Sequence, residues 1–527
     1  MGPKHAGGAK RAHQGRGKPE GERNFKKARK RERDMQNGSH EEVLRFDVEA
    51  LLNATAESAE QPPLPVKESQ IDVEVLEVSS TGDGLAVHKG SNSKHIYIVP
   101  FTVPGDVVKV KVWRQVNDEM TEADFISVVE PSPLRDDGRI KCGYFSKCSG
   151  CQFQMLDYEE QLKHKKRIVE RAFKNFSQLP PELVPTIGDT IGSPLQYGYR
   201  TKLTPHFEGP AGSYKKHVQR PALEHRPDIG FMLKGTRKTM DIEDCPIGTD
   251  AVRRGMKSER ERMEREFGKY TRGATILLRE STQRTCVTDN KGNSTEYIDD
   301  FIFHNPAGSF FQNNNSILPK FTDYIRQHIL PPSTAADEPS PKIKNLIDAY
   351  SGSGLFTITL SSLFSGHATG IDIAEGSIAC ARRNAAANGR PESQTNFIAA
   401  DAAELFKSVV GNDQYSADET VVVLDPPRKG CDASFLSQLM RYGPRRIVYV
   451  SCNVHTQARD IGCLVRGSTS TMETGDSDGK SAAGGSRYEM ESLRGFDFFP
   501  QSAHVEGVAV LNRVDSDAAA APAAPPS

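Results

Sequence analysis

The sequence predicts an α/β protein whose C-terminal half is a doubly wound, mostly parallel sheet, preceded by a small β-barrel and a mixed central segment. Three observations predict this. From about Lys344 onward, short apolar runs (Leu346-Ile347, Ala368 to Ile373, Phe397-Ile398, Val421 to Leu424, Ile447 to Val450, Val508 to Leu511) alternate with helical stretches, as strands joined by crossover helices do. Between Gln70 and Glu130, Val108, Val110 and Val112 alternate with Lys109 and Lys111, and turn signals stand at Thr81-Gly82-Asp83-Gly84 and Pro104-Gly105-Asp106. That pattern suits short strands closing into a barrel of the OB type. Finally, 527 residues exceed what one core organises, so several folded units are expected.

In chain order, residues 1–67 read as a disordered basic arm with a short apolar patch from Val43 to Leu52, and Lys26-Lys27-Ala28-Arg29-Lys30-Arg31 suits either a nuclear-localisation signal or an RNA contact. The barrel occupies 68–131. The central segment, 132–300, opens with Cys142-x5-Cys148-x2-Cys151 and an amphipathic helix whose apolar positions are Leu162, Ile168-Val169, Ala172-Phe173 and Phe176; its Lys163 to Arg167 run is strongly basic. Arg253 to Arg265 reads as a charged, solvated helix. The α/β domain spans 301–515 with a Ser/Gly-rich, disordered insertion at 467–486, and an Ala/Pro tail closes the chain at 516–527.

Acids and bases nearly cancel (69 against 68), so the overall charge identifies no partner. Nine cysteines, an odd number unevenly spread, argue against a disulfide framework. The basic start is followed by no apolar segment of a secretory signal, and no apolar run approaches the length of a membrane helix. An intracellular protein is expected, in nucleus or cytoplasm, with the mitochondrion a weaker alternative; nothing calls for an obligatory protein partner or a membrane.

The chemistry-bearing residues gather at predicted strand ends. Leu346 to Gly354 runs from a strand into a Gly-rich turn, and Asp372 follows Gly352 by twenty residues, where an acid can bind ribose hydroxyls. The third glycine of a dinucleotide fingerprint is missing, which an S-adenosylmethionine site does not need. Asp425-Pro426-Pro427-Arg428 ends the next strand in a rigid turn, a loop of the kind nucleobase methyltransferases place beside a target base. Cys452 ends the strand after that, and His504-Val505-Glu506 precedes the last one. A thiol and a base at neighbouring strand ends could add to C6 of a pyrimidine and remove the C5 proton. Spacing leaves His504 and Glu506 both open as the base.

Phe310-Phe311-Gln312-Asn313-Asn314, Asp348-Ala349-Tyr350-Ser351-Gly352, Asp425-Pro426-Pro427-Arg428, Ser451-Cys452-Asn453 and His504-Val505-Glu506 together resemble the uracil-C5 RNA methyltransferase family, most of all its eukaryotic, fungal-type tRNA branch, over about Gln70 to Arg513. The resemblance implies an S-adenosylmethionine-dependent methyltransferase fold, a TRAM-type RNA-binding barrel, and methylation of a tRNA uracil, the T-loop uridine in particular. It implies Cys452 as nucleophile and Glu506 as proton acceptor. It assigns Gln312, Tyr350, Asp372 and Asp425 to S-adenosylmethionine, and places Phe310 near the target base and Asp401 near the adenine. Ser351 and Asp372 depart from the cysteine and the glutamate common in the family. Cys142, Cys148 and Cys151 with Cys245 resemble the ligand set of an iron–sulfur cluster found in part of the family, a [4Fe–4S] site being favoured over structural zinc, which four thiolates would also suit. Ribosomal RNA uracil is the rival substrate; cytosine methylation is disfavoured because cytosine-C5 enzymes resemble a pattern with a second cysteine in the loop occupied here by Pro426-Pro427; and an RNA-binding or tRNA-folding protein is the alternative from another class.

Overall fold

The computed structural model describes residues 38–54, 63–91, 93–210, 221–281, 285–332, 343–400, 415–470 and 485–515. The Lys4 to Arg33 arm, Asp401, most of the 467–486 insertion and the tail lie outside them.

The stretch expected to be a disordered arm contains a helix, α1 (His40–Ala54). Ser39 and Glu42 form its start: the Glu42 amide donates to Ser39 Oγ at 3.3 Å, and the Glu42 carboxylate accepts from the Gly38 amide at 2.7 Å, close to a capping box. Leu44 and Val48 are buried against Leu85, Ile96, Ile98 and Met120, and Val43 is buried as well. Charged residues alternate with this narrow apolar stripe, which is why composition alone reads the segment as tail.

The barrel is as expected. Strands β1 (Gln70–Val78), β2 (Gly84–His88), β3 (Ile96–Val99), β4 (Val107–Gln115) and β5 (Met120–Glu130) close in the order β1-β2-β3-β5-β4. Val73, Val75, Val108, Val110 and Val112 fill its inside while Lys109 pairs with Asp72 at its surface, the alternation a half-buried strand requires.

Helix α2 (Tyr158–Phe176) buries Ile168, Val169, Ala172 and Phe173. Its basic run does not face solvent as a block. Lys165 is fully buried, its ammonium donating to Asp497 Oδ1 at 2.5 Å and to the carbonyls of Phe499 and His504 at 3.0 and 2.7 Å. Lys163 and Lys166 pair with Glu160 and Asp189, so the run serves packing and ion pairing rather than a continuous RNA contact. Removing one partner of a buried pair strands the other charge at a cost of about 3–5 kcal/mol. Lys165→Met is therefore expected to lower stability by about that amount, read from urea unfolding midpoints, whereas Lys163→Met should leave them within about 0.5 kcal/mol.

Beyond β6 (Gly188–Ile191), the central segment continues as short strands β7 (Lys202–Leu203), β8 (His206–Phe207), β9 (Gly230–Met232), β10 (Thr239–Asp241), β11 (Ala274–Thr275), β12 (Leu278–Glu280) and β13 (Cys286–Val287) around helix α3 (Asp250–Glu266). The hairpin β14 (Asn293–Ile298)–β15 (Phe301–Pro306) and helix α4 (Leu318–His328) lead into the α/β domain.

That domain holds β16 (Asn345–Ala349), α5 (Leu355–Leu360), β17 (Ala368–Asp372), α6 (Glu375–Ala387), β18 (Thr395–Ala399), β19 (Thr420–Leu424), α7 (Ala433–Tyr442), β20 (Arg446–Ser451), α8 (Val454–Arg466), β21 (Tyr488–Phe496) and β22 (Glu506–Arg513). The sheet order is β18-β17-β16-β19-β20-β22-β21-β6. β18 to β20 are parallel, whereas β22 runs antiparallel to both β20 and β21. Two apolar layers, one on each face, enclose the sheet. Every apolar run singled out in the sequence lies on one of its strands. Strand β21 and the edge strand β6 carry no such run; β6 comes from the central segment and pairs parallel with β21, tying the two regions into one sheet.

Candidate active site

The parallel strands deliver their carboxyl ends to one edge of the sheet, and the antiparallel β22 delivers its amino end to that same edge. The register of β20 with β22 pairs Val450 with Val508 and Ser451 with Gly507. One residue further, Cys452 stands opposite Glu506. Residues opposite one another in an antiparallel pair have neighbouring side chains, so topology alone brings the thiol and the carboxylate together.

Their electrostatics agree. The Cys452 thiol is pushed up to about 11, first by burial and then by the Glu506 charge, while Arg428 lowers it and hydrogen-bonds to it. Glu506 is buried, and its carboxyl is raised well above the usual range by that burial and by Asp425, with Arg428 opposing. Asp425 retains some exposed surface, yet burial and the nearby Asp348 raise its carboxyl too. Arg428 is thus the cation common to thiol and base. Sequence reasoning quoted it only as the end of a motif; its position four residues from the strand end, on a proline-stiffened turn, was the available signal. Desolvation and the positive charges of Arg428, Lys165 and Arg200 push the His504 imidazole down, although its side chain keeps exposed surface.

Cys452 and Arg428 line a cavity of 220 Å³ together with Ser80, Thr81, Gln152 and His504. That is smaller than the ~300–1,000 Å³ of small-molecule sites and suits a single ring. The barrel contributes Ser80 and Thr81, and the cysteine segment Gln152, whose amide donates to the Thr81 carbonyl at 2.8 Å. Of these three, the sequence marked only Thr81, and that as the start of a turn rather than as a site residue.

Along the same edge, Gly352 and Gly354 of the turn after β16 have φ of +54° and +90°, which glycine adopts without strain, and the place of a Cβ on Gly352 is open space. Asp372 fixes the turn, accepting from the Gly352 amide at 3.0 Å and the Ala374 amide at 2.8 Å; each oxygen retains a lone pair for a hydroxyl. Tyr350 also has positive φ (+66°), and its ring packs 5.5 Å from that of Phe435. Asp348, a position sequence reasoning did not select, is fully buried at the end of β16: Oδ2 accepts from the Thr357 amide and hydroxyl, whereas Oδ1 has no partner among the described residues. An unsatisfied buried carboxylate oxygen, an open glycine turn and an acid at the next strand end fit a ligand carrying an amine and a ribose, as S-adenosylmethionine does.

The Phe310-to-Asn314 loop is held from within. Asn314 donates to Ser193 Oγ and the Phe498 carbonyl, the Asn313 side chain accepts from Arg279, and Phe311 is buried. Phe310, by contrast, is 76% exposed, available for stacking.

Cys142, Cys148, Cys151 and Cys245 share one neighbourhood: burial raises each thiol, Cys151 to about 12, and the charges of the others add to the effect on Cys151 and Cys245. They match an iron–sulfur or zinc ligand set in kind. In arrangement they do not, because among the described residues no group of three or more His, Cys, Asp or Glu side chains is placed to hold a metal ion. The expected cluster thus gains no support, and no step of the chemistry passes through it. Nor, among the described residues, is any helix long and apolar enough to cross a membrane.

The chain is similar to known proteins over most of its length. Residues 257–473 match the family described as tRNA (Uracil-5-)-methyltransferase. The chain is 43% identical to the tRNA (uracil(54)-C(5))-methyltransferase of Schizosaccharomyces pombe, over 93% of this chain and 86% of that protein. It is 38% identical to the Saccharomyces cerevisiae protein of the same name, over 91% and 79%. The crystal structure of the Pyrococcus abyssi tRNA (uracil-54, C5)-methyltransferase with S-adenosyl-L-homocysteine shares the fold, with a TM-score of 0.56 at 22% identity, over 84% of this chain and all of that one. The chain belongs to the tRNA (uracil-5-)-methyltransferase family.

Proposed function

We propose that this enzyme methylates C5 of uracil in tRNA, at uridine 54 as the names of the fungal relatives indicate, through a covalent bond between Cys452 and C6 of the ring. The observation that carries the reading is the pair Cys452 and Glu506, opposed across β20 and β22 with Arg428 beside both.

The target base leaves its stack to reach the cavity, as bases modified by enzymes do. Cys452, as thiolate, adds its electron pair to C6, and the C5=C6 π electrons move toward C5 and the O4 carbonyl. S-Adenosylmethionine, held by Gln312, Tyr350, Asp372 and Asp425, supplies the methyl group that C5 attacks, leaving S-adenosylhomocysteine. C5 then bears both methyl and hydrogen. Glu506 takes that proton, the C5=C6 bond re-forms, and the Cys452 sulfur leaves with its electron pair. Raised basicity favours Glu506 as the acceptor. His504, two residues out of register with Cys452, is left to line the pocket.

Arg428 lowers the thiol's pKa, so removing it raises that pKa and reduces the thiolate present at any pH below it. Arg428→Ala is expected to move the acid limb of the kcat/KM profile to higher pH by about one unit, equivalent to about 1.4 kcal/mol. A profile that keeps its acid limb while only its height falls would remove Arg428 from this role.

The direct test incubates the protein with methyl-labelled S-adenosylmethionine and unmodified tRNA or ribosomal RNA, then maps the labelled nucleotide. The expected product is 5-methyluridine in the T-loop. Label in ribosomal uracil alone would shift the substrate, and 5-methylcytidine or no transfer would overturn the reading.

A further inference from the structure

The helix that begins beside Cys452 also grips the turn that carries Arg428. Asn453 caps α8 by accepting from the His455 amide at 3.1 Å, and its side-chain nitrogen donates to the Arg428 carbonyl at 3.0 Å. The Thr456 hydroxyl lies 3.1 Å from that same carbonyl. Arg459 donates to the carbonyls of Lys429 at 2.9 Å and Cys431 at 3.2 Å, and the Cys431 amide donates to Asp460 Oδ2 at 2.7 Å. Between them, Gly430 (φ +74°) sits so close to α8 that a Cβ would stand 2.5 Å from Asp460 Oδ2 and 3.1 Å from Thr456 Cβ. We propose that Asp460 is a positioning residue for the reaction: it clamps the turn after Asp425-Pro426-Pro427 onto α8 and so holds the Arg428 guanidinium beside the Cys452 sulfur. This rests on Cys452 and Arg428 acting as proposed above.

Asp460 is the fixed point of the clamp. It is fully buried, and its two oxygens take four donors. Oδ2 accepts from the Cys431 amide and, at 2.5 Å, from the Tyr449 hydroxyl; Oδ1 accepts from Arg459 Nε and Nη2 at 2.9 and 2.8 Å. Tyr449 belongs to β20, the strand that ends at Cys452. One carboxylate therefore joins the strand before the thiol, the helix after it and the turn that carries the cation. The titratable groups around Asp460 are Arg459, Tyr449, Cys431 and Tyr350, and those around the Cys452 sulfur are Glu506, Arg428 and Asp425. None of the hydrogen bonds of Asp460 goes to Cys452, Glu506 or Asp425, so its influence on the sulfur passes through the turn. A fully satisfied buried network holds its members in narrow positions. The attraction between guanidinium and thiolate falls with distance, and a displacement of about 1 Å at a reacting group can cost about 100-fold in rate.

The test reads the reactivity of Cys452 in the folded protein without RNA. Alkylation by iodoacetamide near pH 8 is followed by mass spectrometry on the peptide containing Cys452, for the wild type, Asp460→Asn, Arg428→Ala and the double variant. The thiolate is the form that reacts. A rise of about one unit in the thiol's pKa cuts the thiolate fraction about tenfold and returns part of the loss as nucleophilicity, so Arg428→Ala should slow alkylation about threefold. Asp460→Asn should slow it about twofold. The double variant should be no slower than Arg428→Ala alone, because both changes act through one cation. Loosened packing by itself would act in the opposite sense, exposing the half-buried sulfur and speeding its reaction. Where Asp460→Asn does not fold, Thr456→Val is read in its place; it removes a hydroxyl from the same turn without stranding a charge and should also slow alkylation. Alkylation unchanged or faster in the variant read, or slowing that multiplies with that of Arg428→Ala, would overturn the inference. Because neither RNA nor S-adenosylmethionine takes part, the result stands even if wild-type protein fails to make 5-methyluridine, an outcome that would sink the functional reading instead.

Discussion

Cys452→Ala is expected to abolish methyl transfer to RNA, by at least about 10⁴-fold in kcat, the scale on which removal of a covalent nucleophile acts. Uracil C5 has too little electron density to take a methyl group unaided; only after sulfur adds to C6 does it carry the enolate that can. No other thiol can substitute. Cys431 is buried, its thiol in the Tyr449 and Asp460 network, and Cys463 is buried within α8. The side chain removed is small and half-buried, so the thermal midpoint and the affinity for S-adenosylmethionine should remain those of the wild type. Substituting 5-fluorouridine for the target gives the converse signal: the ring then has no C5 proton to lose, and wild-type protein should become covalently joined to the RNA, a band that Cys452→Ala cannot form. A variant that keeps more than about a tenth of wild-type turnover would exclude the thiol as nucleophile.

The sheet, the barrel and the place of Cys452 at a strand end were legible in the sequence because each rests on a local pattern. The parallel strands are buried on both faces and read as continuous apolar runs, and the barrel strands alternate. Two kinds of feature were not legible. Strand β21, Tyr488–Phe496, lies between β22 and β6 but mixes charged with apolar residues, and its burial is broken rather than continuous. The α1 helix was missed because its apolar stripe is narrow and its flanks are charged. Register, which no periodicity supplies, separates His504 from Glu506: with Ser451 paired to Gly507, position 506 falls opposite Cys452 and position 504 does not. Lys165 is a further case. The sequence shows only a strongly basic run from Lys163 to Arg167, yet the helix rotates that one side chain into the core, where Asp497 and two carbonyls consume its three donors.

The buried Lys165 also shows why the catalytic edge extends beyond the α/β domain. Its bonds reach the segment Asp497 to His504, and Tyr158 of the same helix donates to Asp497 Oδ2 at 2.8 Å. Gln161 and Gln152 bind the backbone of Gln501 and Ala503. The loop that ends at Glu506 is therefore shaped by the central segment, so the geometry of the base depends on residues more than three hundred positions earlier in the chain.

Glu506→Gln is expected to separate the two halves of the reaction. A glutamine amide fills the same space and keeps a hydrogen-bonding group, but it cannot accept the C5 proton. Addition of Cys452 and transfer of the methyl group need no proton from C5, so both should proceed; elimination should not. Turnover is then predicted to fall by about 10²- to 10⁴-fold, the usual contribution of a positioned base, while a denaturant-resistant protein–RNA adduct carrying the labelled methyl group accumulates to nearly one per enzyme. Adding Cys452→Ala to this variant should remove the adduct. In the wild type, burial and the neighbouring Asp425 raise the Glu506 carboxyl, and since only the unprotonated form can act, the acid limb of elimination should lie above the usual carboxylate range. In the glutamine variant that limb should vanish from the slow residual release. Loss of turnover without any adduct would place Glu506 at or before sulfur addition and remove it as the acceptor. An adduct built instead by His504→Gln, with Glu506 intact, would hand the role to the imidazole.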